Sequence, residues 1–132
     1  MPEQFSFGPP SGGEYVPIVA FVLADETGQT TPLLTAILDT GADGTIVPII
    51  ILEAAGFKPS RQRRRLVPAS GTVAAEIVPG YLLNLRVGAL ELYDVDVYGS
   101  RTVNDIILGR NVLNKLRFLY DGPQRYIELR VS

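Results

Sequence analysis

The sequence predicts an all-β protein, a closed or strongly coiled sheet with one or two short helices. Three observations lead there. Runs of β-branched and aromatic residues recur along the chain. Clusters of Gly, Pro, Asp and Ser punctuate them as turns. Only 48–55 and 110–116 suit a helix, and both are short. The length of 132 residues fits a single domain spanning 1–132.

The elements follow in order. Residues 1–13, rich in Pro, Gly and Ser, read as an extended arm. Tyr15 to Ala24 (YVPIVAFVLA) is a strand, and Asp25 to Gln29 is a hairpin turn. Leu33 to Leu38 is a second strand, apolar enough to be buried on both faces. Thr45 to Val47 is extended again. Pro48 to Ala55 forms a short helix stopped by Gly56. Lys58 to Arg65 contains RQRRR and reads as a solvated loop, or as a docking site for acidic partners. Leu66 to Val78 is a hairpin about the turn signal Pro68-Ala69-Ser70-Gly71. Leu83, Leu85 and Val87 alternate with Asn84 and Arg86, a half-buried strand. Leu90 and Leu92 alternate in one phase and Val95 and Val97 in the other, so a β-bulge is expected at Tyr93-Asp94. Asp105 to Leu108 is a short strand and Arg110 to Leu116 a short helix. Arg117 to Tyr120 and Arg125 to Val131 flank Asp121-Gly122-Pro123 in a last hairpin, whose second arm, Tyr126 to Val131, reads as an exposed edge ready to pair with another chain.

Composition excludes several kinds of chemistry. A hydrophobic share of 46 % rules out a disordered chain. Net charge is −2, which gives no basis for nucleic-acid or membrane-surface binding. No apolar run approaches the about 18 residues of a membrane span. Met1 to Phe7 lacks the pattern of a signal peptide, so a cytoplasmic location is expected. There is no Cys and no His. Disulfides, zinc-thiolate sites, thiol nucleophiles and imidazole catalysis are therefore excluded, and neither metal nor cofactor is expected. Carboxylates are the obvious catalysts that remain.

One segment concentrates such chemistry. In Ala36-Ile37-Leu38-Asp39-Thr40-Gly41-Ala42-Asp43 an ionisable group ends an apolar strand, where an isolated buried charge is costly. Gly41 lets the backbone turn sharply beside it, and Thr40 supplies a hydroxyl. Locally, Asp39 is either a carboxylate held in a preorganised loop or an Asp that caps its own turn.

The run ILDTGAD resembles the active-site motif of retropepsins, the retroviral-type aspartic proteases. Asp105-Ile106-Ile107-Leu108-Gly109-Arg110-Asn111 is similar to the family's second motif, apolar-apolar-Gly-Arg-Asn/Asp followed by a short helix. The hairpin at 66–78 stands between the two, where the family carries its flap. The resemblance covers roughly residues 15–131. It implies a retropepsin-like barrel, active as a symmetric homodimer, with Asp39 as the catalytic carboxylate.

The same resemblance implies the supporting roles. Thr40 would meet its counterpart across the dimer. Gly41 and Asp43 would hydrogen-bond the substrate backbone. Arg110 would pair with Asp43 near the interface, and Gly109 would let the second motif pack under the first. Ala69, Ser70 and Gly71 would form the flap tip over an extended peptide substrate. Val47, Ile107 and Leu108, with Ala42, would make pockets for apolar side chains. Ala42 stands where many cellular relatives have Ser or Thr, and its methyl group cannot hydrogen-bond the dyad, so the activity profile should sit at higher pH than with Ser. The flap segment holds one Gly where many relatives have several, and the stretch before it is longer and carries the arginines.

A single DTG motif makes only half a site, so a partner copy must supply the other half. Two carboxylates in contact share one proton, as is established for aspartic proteases in general. One then activates water and the other protonates the scissile carbonyl. Two rivals remain. In the first, the same fold serves as a catalytically silent peptide-binding or dimerisation module. The run from Asp39 to Thr45 also resembles the Asp-x-Asp-Gly-Thr of haloacid-dehalogenase-type phosphatases, but its aspartates are spaced differently and no βαβ succession follows.

Overall fold

The computed structural model describes residues 3–8, 15–60, 62–66 and 75–131. Its strands are β1 (Glu3–Ser6), β2 (Ile18–Ala24), β3 (Leu34–Leu38), β4 (Thr45–Pro48), β5 (Arg63–Leu66), β6 (Glu76–Val87), β7 (Leu90–Ser100), β8 (Ile106–Leu108), β9 (Leu116–Asp121) and β10 (Tyr126–Val131). Helix α1 (Ile49–Ala54) follows β4, and α2 (Arg110–Leu113) follows β8. The all-β expectation holds.

Strands β2-β3-β8-β4-β7-β6 lie side by side in that order, and a β2–β6 pairing closes them into a barrel. Strand β5 hangs on the free length of β6, with Arg63 opposite Pro79 and Leu66 opposite Glu76. A separate three-stranded sheet has the order β1-β10-β9. The two sheets share one core, in which Phe21, Leu23, Leu85 and Val97 of the barrel meet Ile127 and Leu129. A smaller cluster of Ile46, Val78 and Tyr98, with Leu66, Val103 and Ile107 packed against it, sits where β5 and β6 leave the barrel.

Local chemistry accounts for the punctuation. The carboxylate of Asp25 accepts the amides of Thr27 (3.0 Å) and Gln29 (2.9 Å), which folds the β2–β3 turn. Helix α1 buries Ile49 and Leu52, one turn apart, and stops at Gly56, whose φ of +79° is the left-handed conformation a helix end favours. The bulge lies where the alternation changes phase. Leu83 faces Val95 but Leu85 faces Leu92, so β7 spends one more residue than β6. Asp94 takes the positive φ of 55°, and its amide donates to Asn84 Oδ1 at 3.2 Å.

Several expectations need correction. Part of the 1–13 arm is strand β1, paired antiparallel with β10. The run Tyr126 to Val131 is therefore the middle strand of its sheet, not an unpaired edge, and Ile127 and Leu129 are buried. The second strand is not covered on both faces, since Thr35 and Leu33 are exposed. The second helix ends at Leu113, and Leu116 already belongs to β9. The arginine run is not all loop: Arg63 to Leu66 pair with β6 as a charged edge strand. Among the described residues no helix is long and apolar enough to cross a membrane.

If β10 is structural, truncating it inside the core must be costly. Ile127 is 0 % exposed. Ile127→Ala is expected to remove about 2–5 kcal/mol of stability, read as a lower urea midpoint at fixed protein concentration.

Candidate active site

The two sequence motifs meet because β3 and β8 run parallel. Ala36, Ile37 and Leu38 face Ile106, Ile107 and Leu108. The Asp39 amide adds one more rung, donating to Leu108 O at 3.0 Å. Strand β8 also contacts β4, through Ile46 and Ile107. The loop from Asp39 to Gly44, which joins β3 to β4, thus arches over the end of β8. Gly109 lies beneath the arch. A Cβ there would stand 2.1 Å from Gly44 O and 2.9 Å from Ala42 O, so no side chain fits.

Backbone and side chains pin the arch. Ala42 O accepts the Arg110 amide at 2.8 Å, and Asp43 O accepts the Asn111 amide at 3.3 Å. The Arg110 guanidinium donates to Thr40 O at 2.9 Å and also to Asp43 Oδ1. Thr45 is fully buried; its hydroxyl donates to Asn111 Oδ1 at 2.8 Å and accepts the Gly109 amide at 3.3 Å. Asn111 in turn donates to Asp96 O at 2.9 Å. The loop is therefore held by bonds within the chain itself.

On this frame the Asp39 side chain is half-buried, and the Gly41 amide donates to its Oδ1 at 2.9 Å. Among the described residues the Asp39 carboxylate makes no ion pair. Thr40 beside it is exposed, as is Gly41. Asp43 pairs with Arg110, and its other oxygen with Arg64 of β5 at 3.2 Å.

Among the sequence candidates, Asp39, Thr40, Gly41, Ala42, Asp43, Gly109 and Arg110 converge here. Ile107 is half-buried in the small apolar cluster under β5 and β6. Val47 and Leu108 do not reach a surface; both are fully packed into the core, which claims the opposite phase of their strands. Ala69, Ser70 and Gly71 lie outside the described residues, though the arms that lead to them pair as a hairpin. Sequence reasoning missed Thr45, Asn111, Arg64 and Glu76. For Thr45 the available signal was a lone hydroxyl within an apolar strand.

Glu76 begins the returning arm, β6. Its carboxylate accepts bonds from the hydroxyl of Ser100, the hydroxyl of Thr102 at 2.7 Å and the amide of Arg101 at 3.3 Å. Burial alone would raise this carboxyl; the bonds from Ser100, Thr102 and Arg101 outweigh it and hold it below its ordinary value of 4.5.

Residues 28–115 match the family described as gag-polyprotein putative aspartyl protease. The chain belongs to that family. Among solved structures, it is similar to a retropepsin-like aspartic protease from Rickettsia conorii, with a TM-score of 0.61 and 12 % identity over 100 % of this chain and 94 % of that one. EIAV protease, solved in complex with the inhibitor HBY-793, gives a TM-score of 0.51 and 18 % identity over 78 % of this chain and 89 % of that one. The retroviral protease-like domain of Ddi1 from Leishmania major gives 0.51 and 16 % identity over 89 % and 90 %. At such identities the likeness establishes a retropepsin-like fold. No curated protein is significantly similar in sequence.

The anchorage of Glu76 in this retropepsin-like chain has a pH signature. A carboxyl lowered in the folded state contributes stability that is complete above its unfolded value and is lost as pH falls through the folded value. The stability advantage of wild type over Glu76→Gln is expected to be largest near neutral pH. It should shrink below pH 4.5, the ordinary value of the group. Urea unfolding of both proteins across that range measures it.

Proposed function

We propose that the chain is one subunit of a homodimeric aspartic endopeptidase, in which two Asp39 carboxylates, one per subunit, activate a water against a peptide bond. The observation that carries this reading is the Asp39 carboxylate itself. It is half-buried, oriented by the Gly41 amide and unneutralised by any ion pair among the described residues, in a chain of the aspartyl protease family. One motif per chain requires a two-fold partner. On this reading Thr40 meets its counterpart across the two-fold axis; its exposure and the Arg110 bond to its carbonyl support that.

The chemistry follows from the shared proton. The ionised carboxylate takes a proton from the water as it attacks the scissile carbon, while the protonated one donates to the carbonyl oxygen. Collapse of the tetrahedral species breaks the C–N bond, with a proton passing to the leaving amine. No covalent intermediate forms. On this reading the substrate lies extended over the loop, its backbone bonding to Gly41 and Asp43, with Ala69, Ser70 and Gly71 as the segment expected to close over it. Ala42 and Ile107 favour apolar side chains beside the cleaved bond by burying them. Val47 and Leu108 support those walls from within the core.

Asp39→Asn is expected to lower peptide hydrolysis by about 100-fold or more while leaving the fold intact, since it relieves a like-charge pair. Mass spectrometry of a peptide-library digest reads the activity, and urea unfolding reads the fold. Sedimentation equilibrium at concentrations of full activity should give a dimer. Turnover by a monomer, or wild-type turnover by the Asn variant, contradicts the reading.

A further inference from the structure

The arginine run on β5 has no part in the chemistry above. Successive strand residues face opposite sides, so Arg63 and Arg64 point apart. Arg64 turns toward the catalytic loop, where its guanidinium donates to Asp43 Oδ2 at 3.2 Å. Its Cζ lies 5.6 Å from the centroid of the Tyr98 ring. A Cβ added to Gly44 would come within 3.0 Å of its Nη1, so it lies directly against the end of the arch.

The charges do not balance. Asp43 carries one negative charge and faces two guanidiniums, Arg110 on one oxygen and Arg64 on the other. Arg110 also holds Thr40 O and is committed to the loop. Arg64 is not committed in that way. Its side chain is 42 % exposed and that of Asp43 63 % exposed, so their bond is a weak, solvent-screened pair. If Arg64 turns to another acceptor, Asp43 keeps Arg110. A guanidinium has five N–H donors in a planar fork suited to a carboxylate, and among the described residues Arg64 spends one of them, on Asp43.

We propose that Arg64 is a specificity-determining residue that receives the carboxylate of an acidic substrate side chain, at a position outside the two residues flanking the cleaved bond. The proposal rests on the endopeptidase reading. Asp39 opens the loop and Asp43 and Gly44 end it, and Arg64 reaches from the hairpin arm onto that far end. An extended peptide running between loop and hairpin passes Arg64 only after leaving the catalytic carboxylates. Asp43 repels an incoming anion, but the two guanidiniums around it leave one net positive charge. The Tyr98 ring, 5.6 Å from the Arg64 Cζ, adds a cation–π attraction that favours the guanidinium at this place while its in-plane N–H groups stay available to a carboxylate.

The test uses peptides with apolar residues at the cleaved bond and Glu, Gln or Lys at each position two to four residues away. Hydrolysis by the wild-type protein is read as kcat/KM, and binding to the Asp39→Asn protein as fluorescence anisotropy. At one outer position Glu is expected to exceed Gln by roughly 3- to 10-fold, a range set by partly exposed ion pairs. The ratio should rise as pH passes through about 4.3, where Glu ionises, and fall with added salt. Arg64→Gln should bring it close to one and Arg64→Glu should favour Lys, whereas Arg63→Gln, on the opposite face, should retain it. Hydrolysis with equal rates for Glu and Gln everywhere overturns the subsite and leaves the protease reading standing. So does a preference that survives Arg64→Gln or disappears in Arg63→Gln. Glu-selective binding that needs Arg64, without hydrolysis by wild type, keeps the subsite and overturns the protease reading. Neither binding nor hydrolysis overturns both.

Discussion

The close approach of two chain segments at Gly109 is the constraint on which the site depends. The arch from Asp39 to Gly44 can span β8 only because the residue beneath it has no side chain; a Cβ would sit 2.1 Å from a carbonyl oxygen. That absence lets the Arg110 and Asn111 amides reach the arch carbonyls directly. The parallel β3–β8 pairing then fixes where Asp39 emerges. The backbone thus sets where the Asp39 side chain begins, and the Gly41 amide holds its Oδ1 at 2.9 Å.

Around that frame, polar groups are satisfied in a chain. The buried Thr45 hydroxyl links the Gly109 amide to Asn111, and Asn111 reaches on to the Asp96 carbonyl in β7. A buried hydroxyl without partners would be costly, and here it ties the arch to the barrel wall. Outside this chain the interactions are ionic and exposed, as at Asp43. The frame around Asp39 is therefore held by buried neutral bonds and by Arg110, while the exposed Arg64–Asp43 pair adds a weaker, solvent-screened contact at the loop's far end.

What was legible in the sequence was local or strongly patterned. The bulge at Tyr93-Asp94 showed itself because the apolar alternation reverses there, which a pleated strand cannot do without an extra residue. The α1 stop at Gly56 and the Asp39 loop were visible for similar reasons: each depends on residue types that tolerate few alternatives. What escaped was non-local. Nothing within Arg63 to Leu66 announces a strand; the pairing is supplied by β6, and a charged strand is stable only at an edge. Likewise Tyr126 to Val131 read as open because β1, which covers one side of it, lies at the other end of the chain. Val47 and Leu108 were assigned to a pocket by proximity to the motifs, but strand phase turns both into the core.

The long strand β6 gives the hairpin an unequal footing. From Gly80 to Val87 it is built into the barrel wall beside β7, while Glu76 to Pro79 project with β5. Glu76 then stakes the projecting part to the stretch from Ser100 to Thr102. The outgoing arm is held by the β5–β6 ladder, Leu66 in the small apolar cluster and the exposed Arg64–Asp43 bond. The returning arm is thus held at two places, the barrel wall and the stretch from Ser100 to Thr102, while the outgoing arm leans on its neighbour. Within the described residues the two arms therefore differ in anchorage: β6 is continuous with the barrel wall, whereas β5 reaches the rest of the chain through its ladder with β6 and through side-chain contacts.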